Sequence, residues 1–309
     1  MRETKWYNQY VNKLLEANML LSTQTDRLSS KLGYEKAITI LAHAGYDAYD
    51  FTQFHPVIEN DPLYTENYRE YAHSLRRLAD SLNIICNQSH APFPTSTGDA
   101  EKDAMIFRDI VRSIEIASIL GAKCIVVHPK QHLPYRANAD TLKQMNLEFY
   151  RELIPYAEKF GIKIAVENMW QTNPVGRRTI VDSTCSRVTE FCEYIDMLDS
   201  PWIVACLDIG HTALVGEDIG LMIKGLGKDR LKALHVHDVD GVNDLHTLPF
   251  TSNIDYPRVA SLLHEIGYEG DLTFEADNFF ARFPVEMYQN VADFMQLTGR
   301  QLINMIEKG

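Results

Sequence analysis

Short apolar runs rich in β-branched residues alternate with longer stretches of helical periodicity along most of the chain. Eight runs read as strands: Met19–Thr23, Asp47–Phe51, Asn83–Ser89, Ala122–His128, Ile162–Glu167, Trp202–Asp208, Leu231–Asp238 and Asp271–Glu275. Between them the apolar spacing changes to three and four. In 103–120, for example, Ile106, Ile110, Val111, Ile114 and Ala117 form one face of a helix. Gly45, Gly121, Gly161 and Gly267 fall where such helices should stop, shortly before the next strand. Several strands are nearly continuous apolar runs (CIVVH, IKIAVE, WIVACLD), as strands covered on both faces should be.

Eight strand–helix units predict an α/β fold, a parallel (β/α)8 TIM barrel. An open doubly wound sheet would give a similar alternation, but no GxGxxG or GxxxxGK[ST] follows any strand. No Pro/Gly/Ser-rich linker divides the chain. The expectation is therefore an N-terminal helical extension over 1–18 and a single barrel domain over 19–309.

Composition narrows the function. The 309 residues are 45% hydrophobic and 23% charged, which excludes a disordered or coiled-coil chain. Taking 42 Asp+Glu from 30 Lys+Arg leaves a net charge of −12, unsuited to a broad nucleic-acid or anionic-membrane surface. The five cysteines contain no CxxC pair and read as reduced thiols, with Cys86, Cys124 and Cys206 inside apolar runs. No apolar stretch reaches the roughly 18–20 residues of a membrane span, and the N-terminus lacks a signal-peptide core. A cytoplasmic location is expected.

Polar residues then fall in a telling place. Strand ends carry or run into His90, His128, Glu167, Asp208, His235, His237, Asp238 and Glu275, with His211 three residues after Asp208 and His246 in a later loop. In a parallel barrel all strand C-termini open on one face, so these residues converge. His43, His55, His73, His132 and His264 lie in helical or loop segments and read as surface or half-buried side chains. Several buried carboxylates would repel one another unless a cation neutralised them. Two Glu, one Asp and one His suit one divalent ion: Mn²⁺, Zn²⁺, Co²⁺ or Mg²⁺. Strand alternation places His235 and His237 on one face.

These stretches resemble the xylose isomerase-like TIM-barrel superfamily, in its sugar phosphate isomerase/epimerase branch. The resemblance is carried by STQTDRL (22–28), AGYDAYDF (44–51), SHAPFP (89–94), VVHP (126–129), ENMW (167–170), LDIGHT (207–212), LHVHDVDG (234–241), DLHTLPF (244–250) and FEADN (274–278). It implies a single metal held by Glu167, Asp208, His235 and Glu275, with the two glutamates also acting as the acid/base pair. It further implies His211 as a substrate contact, with His90, His128, His237 and Trp170 expected at the same pocket.

The implied reaction is isomerisation or epimerisation of a sugar, sugar phosphate or related polyol ketone, by proton abstraction to a metal-stabilised ene-diolate. A homo-oligomer is compatible with such barrels, and neither a nucleic acid nor a membrane is an expected partner.

The superfamily also contains apurinic endonucleases with three zinc ions and nine ligands. Counterparts for all nine are present in His90, His128, Glu167, Asp208, His211, His235, Asp244, His246 and Glu275, so Asp244 and His246 are additional candidate ligands. The acidic charge and the lack of clustered Lys/Arg after the strands disfavour that reading. A dehydratase of cyclic polyol ketones and a non-catalytic binding barrel remain alternatives; the latter would be expected to have lost a ligand carboxylate.

Aromatics after the strands (Phe51, Phe54, Phe93, Trp170, Phe279, Phe280) are candidates for pocket walls. Arg177 and Arg178 are candidates for a phosphate or carboxylate clamp, with an exposed loop pair as the competing reading. Asp238 would either orient a ligand histidine or cap the next helix.

Overall fold

The computed structural model describes residues 19–57, 59–173 and 179–309. The expected N-terminal extension (1–18) and the pair Arg177 and Arg178 lie outside these described residues. Eight parallel strands appear where the apolar runs predict them. They are β1 (Leu21–Thr23), β2 (Ala48–Thr52), β3 (Ile85–His90), β4 (Cys124–Val126), β5 (Lys163–Glu167), β6 (Ile203–Asp208), β7 (Leu231–His235) and β8 (Leu272–Phe274). Strands β2 through β7 pair in sequence order, and β1 pairs with β8. Parallel bridges Gln24–Asp50 and Val236–Phe274 join the two sheets into a closed cylinder, so the open-sheet alternative does not hold.

Period-two alternation sorts each strand between two environments. Outward-facing Ile125, Ile164, Val166, Ile203, Ala205 and Leu207 join the large apolar layer under the helices. Inward-facing Cys124, Val126, Ala165, Val204, Cys206 and Ala233 form a separate small plug inside the cylinder. Continuing the inward register by one step reaches Glu167 on β5, Asp208 on β6 and His235 on β7, all fully buried. The plug closes the bottom of the barrel, and the next inward layer is polar.

Helix signals behave as expected. The helix Ala100–Leu120 starts at Asp99, whose carboxylate accepts from the backbone N–H of Glu101 and Lys102, and stops at left-handed Gly121. The structure also corrects some strand ends. Strand seven was expected to reach Asp238 but ends at His235, because its partner β6 ends at Asp208 and turns directly into the helix Ile209–Leu214. Strand four stops at Val126 rather than His128, and strand eight at Phe274 rather than Glu275. An antiparallel hairpin, Trp170–Thr172 with Ile180–Asp182, follows β5 and was not anticipated. Among the described residues no helix is long and apolar enough to cross a membrane.

The β1/β8 seam closes the barrel and is covered by the C-terminal helix Tyr288–Lys308. Gly299 permits the close approach: a Cβ there would lie 2.4 Å from Leu21 Cδ1 and 3.0 Å from Phe274 Cε2. Gly299→Ala is expected to destabilise the protein by about 1–3 kcal/mol through overpacking, despite the better helix propensity of Ala. Urea unfolding of the two proteins measures it; an unchanged or raised midpoint would show that the seam accommodates the methyl group.

Candidate metal centre at the barrel mouth

Four elements bring the expected ligand set together. Glu167 ends β5, Asp208 ends β6, His235 ends β7 and Glu275 immediately follows β8. One ligand atom from each of the four lies within 4.8 Å of the others, in a fully buried group. His235 Nδ1 is 2.9 Å from Glu275 Oε2 and 3.3 Å from Glu167 Oε2. Three further groups adjoin it among the described residues. His90 and His128 meet Glu167, with the His128 Nε2 to Glu167 Oε2 distance at 3.1 Å; Asp50 and His90 meet His235; and His211, His237, Asp244 and His246 form the last.

Several of these buried atoms face one another at ion-pair distance without a well-aligned hydrogen bond: Glu167 Oε1 and Oε2, Glu275 Oε2, His235 Nδ1 and Asp244 Oδ1. Poorly paired buried acceptors are costly, and here they converge from separate strands. Hard oxygens plus imidazole nitrogens in such numbers fit a divalent cation. A cation at the first group would be held by Glu167, Asp208, His235 and Glu275.

Burial raises the cost of charge on Glu167, yet the imidazoles of His235 and His128 hold its carboxyl well below the usual carboxylate range. Glu275 is likewise depressed, against burial, by His235 and His246. The imidazoles answer in kind. Burial opposes their charge, but Asp208 and Asp244 hold the His211 pKa well above its ordinary value. Cys206, Glu275 and Glu167 do the same for His235, and Glu275 and Asp244 raise His246 to about 10. His90 is the exception, pushed well below by burial and by neighbouring His128 and His235.

Above the groups lies a cavity of about 550 Å³, lined by His128, His211, Asp244, His246 and Glu275 at its floor and by Phe54, Phe93, Leu133, Met169 and Trp170 on its walls. His90 and His237 are not on its wall; both are fully buried beneath it and face other side chains. Trp170 lines the cavity and also donates from Nε1 to Asp244 Oδ2 at 3.1 Å. Of the other aromatic candidates, Phe51 and Phe280 are fully buried in the core, and Phe279 packs on Phe283 and Phe294. Asp238 takes neither expected role: it accepts from the backbone N–H of Val239, Ser252 and Ile254 and so shapes the loop after β7. His43, His55, His73 and His264 are exposed and His132 half-buried.

Residues the sequence reading passed over complete the framework. The Gln24 amide donates to His90 Nδ1 (3.0 Å) and Glu275 Oε1 (2.7 Å). Gln88 bridges Asp50 and His235, at 2.9 Å to each. Asn168 donates to the Asp208 carbonyl and accepts from the Asp208 N–H. Being neutral, the amides carry no charge signal; the available clue is their place beside charged strand-end residues. His246 adopts a left-handed backbone (φ 42°), which aims Nδ1 at the Glu275 carbonyl and Nε2 at Asp244.

The raised pKa values of His211, His235 and His246 favour their protonated forms beside the carboxylates, whereas a cation bound to any of them would need that imidazole's lone pair. Cation uptake is therefore expected to release protons and to strengthen as pH rises. Adding Zn²⁺ or Mn²⁺ to metal-free protein near pH 7 in weak buffer with an indicator dye measures it. Uptake with no proton release would show that these imidazoles are not ligands.

A family model described as xylose isomerase-like TIM barrel matches residues 38–296. An uncharacterised protein (MJ1311) of Methanocaldococcus jannaschii is 27% identical over 224 residues, 69% of this chain and 71% of its own length. A probable endonuclease 4 of Bacillus licheniformis is 30% identical over 50% of this chain and 52% of its own length. A fructoselysine 3-epimerase of Shigella flexneri is 23% identical over 62% and 66%. Among solved structures, a D-tagatose 3-epimerase-like protein superposes with a TM-score of 0.72 at 20% identity, covering 94% of this chain and 99% of that one. The IOLI protein, whose structure has a bound zinc atom, gives 0.66 at 17% identity, covering 94% and 99%. At these identities the structural likeness shows the fold, and the matched span supplies the family: this chain belongs to the xylose isomerase-like TIM barrel family.

Proposed function

We propose that the chain is a divalent-metal-dependent isomerase or epimerase of a sugar, sugar phosphate or related polyol ketone. The observation that carries this reading is the pair of buried glutamates, Glu167 and Glu275, in one ligand group beneath a largely apolar cavity. The epimerase relatives and the zinc-bearing structural neighbour support it.

When bound, the cation would polarise the substrate carbonyl and offset the negative charge that builds up on proton removal. The protein's own share is positional. Glu275 lines the cavity floor and is the group able to take a proton from the carbon next to the carbonyl; Glu167 is the carboxylate on the other side of the ligand group. The Gln24 amide donates to Glu275 Oε1, while Oε2 faces His235 Nδ1 at 2.9 Å. His211, on the cavity floor within 3.6 Å of Asp244, is placed to donate to a substrate oxygen. Phe54, Phe93 and Trp170 exclude water and offer faces to sugar C–H groups.

A second reading is favoured by one observation: all nine counterparts of the endonuclease ligands meet in three adjoining groups, with Glu167 common to two. That arrangement suits a three-cation phosphodiester hydrolase. Against it stand the net charge of −12 and a cavity with no Lys or Arg among its described lining residues. A dehydratase would begin with the same proton abstraction and differ in its product.

Elemental analysis of the purified protein separates the main readings: about one cation per chain for the isomerase, about three for the hydrolase. Solvent deuterium is expected to enter a ketose substrate at the carbon beside the carbonyl. Glu275→Gln should slow that exchange by about 10²–10⁴-fold, and exchange at the wild-type rate would remove Glu275 from the acid/base role. Chelator-sensitive incision of abasic DNA would establish the hydrolase instead.

A further inference from the structure

We propose that His237 is a positioning residue for Asp208, neither a cation ligand nor a substrate contact, and that Gly210 is the gap that admits its ring. The proposal rests on the reading that Asp208 holds a cation. His237 is fully buried, and its Nε2 lies 3.1 and 3.0 Å from the two Asp208 carboxylate oxygens. On one side its ring stacks on His246, with centroids 4.1 Å apart and planes 4° from parallel. On the other it presses on Gly210, where an added Cβ would sit 2.1 Å from His237 Cε1 and 2.5 Å from Nε2. A ring clamped on both faces is held in one plane, and in that plane Nε2 faces the Asp208 carboxylate.

The competing role is ligation, since His237 also sits in the group with His211, Asp244 and His246. The other ring nitrogen bears on ligation through Nε2, the nitrogen that faces both Asp208 and Asp244. His237 Nδ1 is buried with no hydrogen-bond partner. A lone pair given to a cation from Nε2 would leave the proton on Nδ1, as a buried donor facing no acceptor, the rarer and costlier defect. With the proton on Nε2, the donor is satisfied by Asp208 and only an acceptor is left bare. The Nε2–H, shared between both oxygens, then sets the plane of a carboxylate that also accepts from the His211 backbone N–H at 2.6 Å. Such outer partners fix the direction in which a ligand offers its remaining lone pairs.

The test uses the full chain and zinc alone, with zinc equivalents at saturation, zinc affinity by chelator competition, and the absorption spectrum of the cobalt-substituted protein. His237→Ala is expected to keep the wild-type number of equivalents while its tightest affinity falls about 10–100-fold. Gln can place its amide nitrogen where Nε2 stands, whereas Asn reproduces only the Nδ1 position. His237→Gln should therefore restore most of the affinity and the cobalt spectrum, and His237→Asn should not.

Gly210→Ala should weaken binding in the wild type and have little further effect in His237→Ala, because the clash it creates is with this ring. Metal-free unfolding curves identify any variant that does not fold, and the Gln variant then carries the comparison. Loss of a whole zinc equivalent in His237→Ala would make His237 a ligand and overturn the proposal; affinity within twofold of wild type would also overturn it. A wild-type chain that takes up no zinc and no manganese would instead sink the cation reading underneath.

Discussion

Three carboxylates, Glu167, Asp208 and Glu275, are held at the top of a closed barrel with little water to screen them, and their mutual repulsion is the constraint around which the mouth is organised. Buried like charges at such separations must bind protons, gain cationic partners or be paired with a metal. The protein supplies imidazole partners, and the third option is the reading proposed above. Protonated imidazoles can neutralise the carboxylates, and the same imidazoles can give up their protons and offer lone pairs. On that reading the site would exchange protons for a cation.

The surrounding packing makes that poise durable. The small apolar plug fills the barrel below the ligands and excludes solvent from beneath. Gln24, Gln88 and Asn168 tie Glu275, His235 and Asp208 to neighbouring strands through neutral amides, which add direction without adding charge. The hairpin after β5 brings Trp170 over the mouth, where its ring is half wall and its N–H half support for Asp244. Binding surface and ligand support are thus the same residues. A change in the pocket wall would be felt at the ligand groups.

Much of the site was legible because parallel barrels collect strand ends on one face. Glu167, Asp208 and His235 could be aligned by alternation within their own strands, and Glu275 by its place after the last. His237 could be put on the face of His235, but not assigned its contacts: Asp208, Gly210 and His246 come from other elements. The roles of Phe51 and Phe280 were likewise unreadable, since an aromatic near a strand end serves core or pocket according to which way its backbone turns. The loop function of Asp238 depends on Ser252 and Ile254, far beyond the range of local pattern.

Period-two and helical spacing are local properties of a chain, so the eight strand–helix units, their order and the placing of the candidate residues at strand ends follow from the amino-acid order alone. Distances across the cylinder are not local. Closure between β1 and β8, the meeting of nine candidate side chains in three groups, two of which share Glu167, and the clamp on the His237 ring arise only when strands distant in sequence pack at fixed tilt and register. Tertiary packing sets which nitrogen faces which oxygen, because hydrogen-bond and ligand geometry is decided over tenths of an ångström, a scale that residue spacing does not encode.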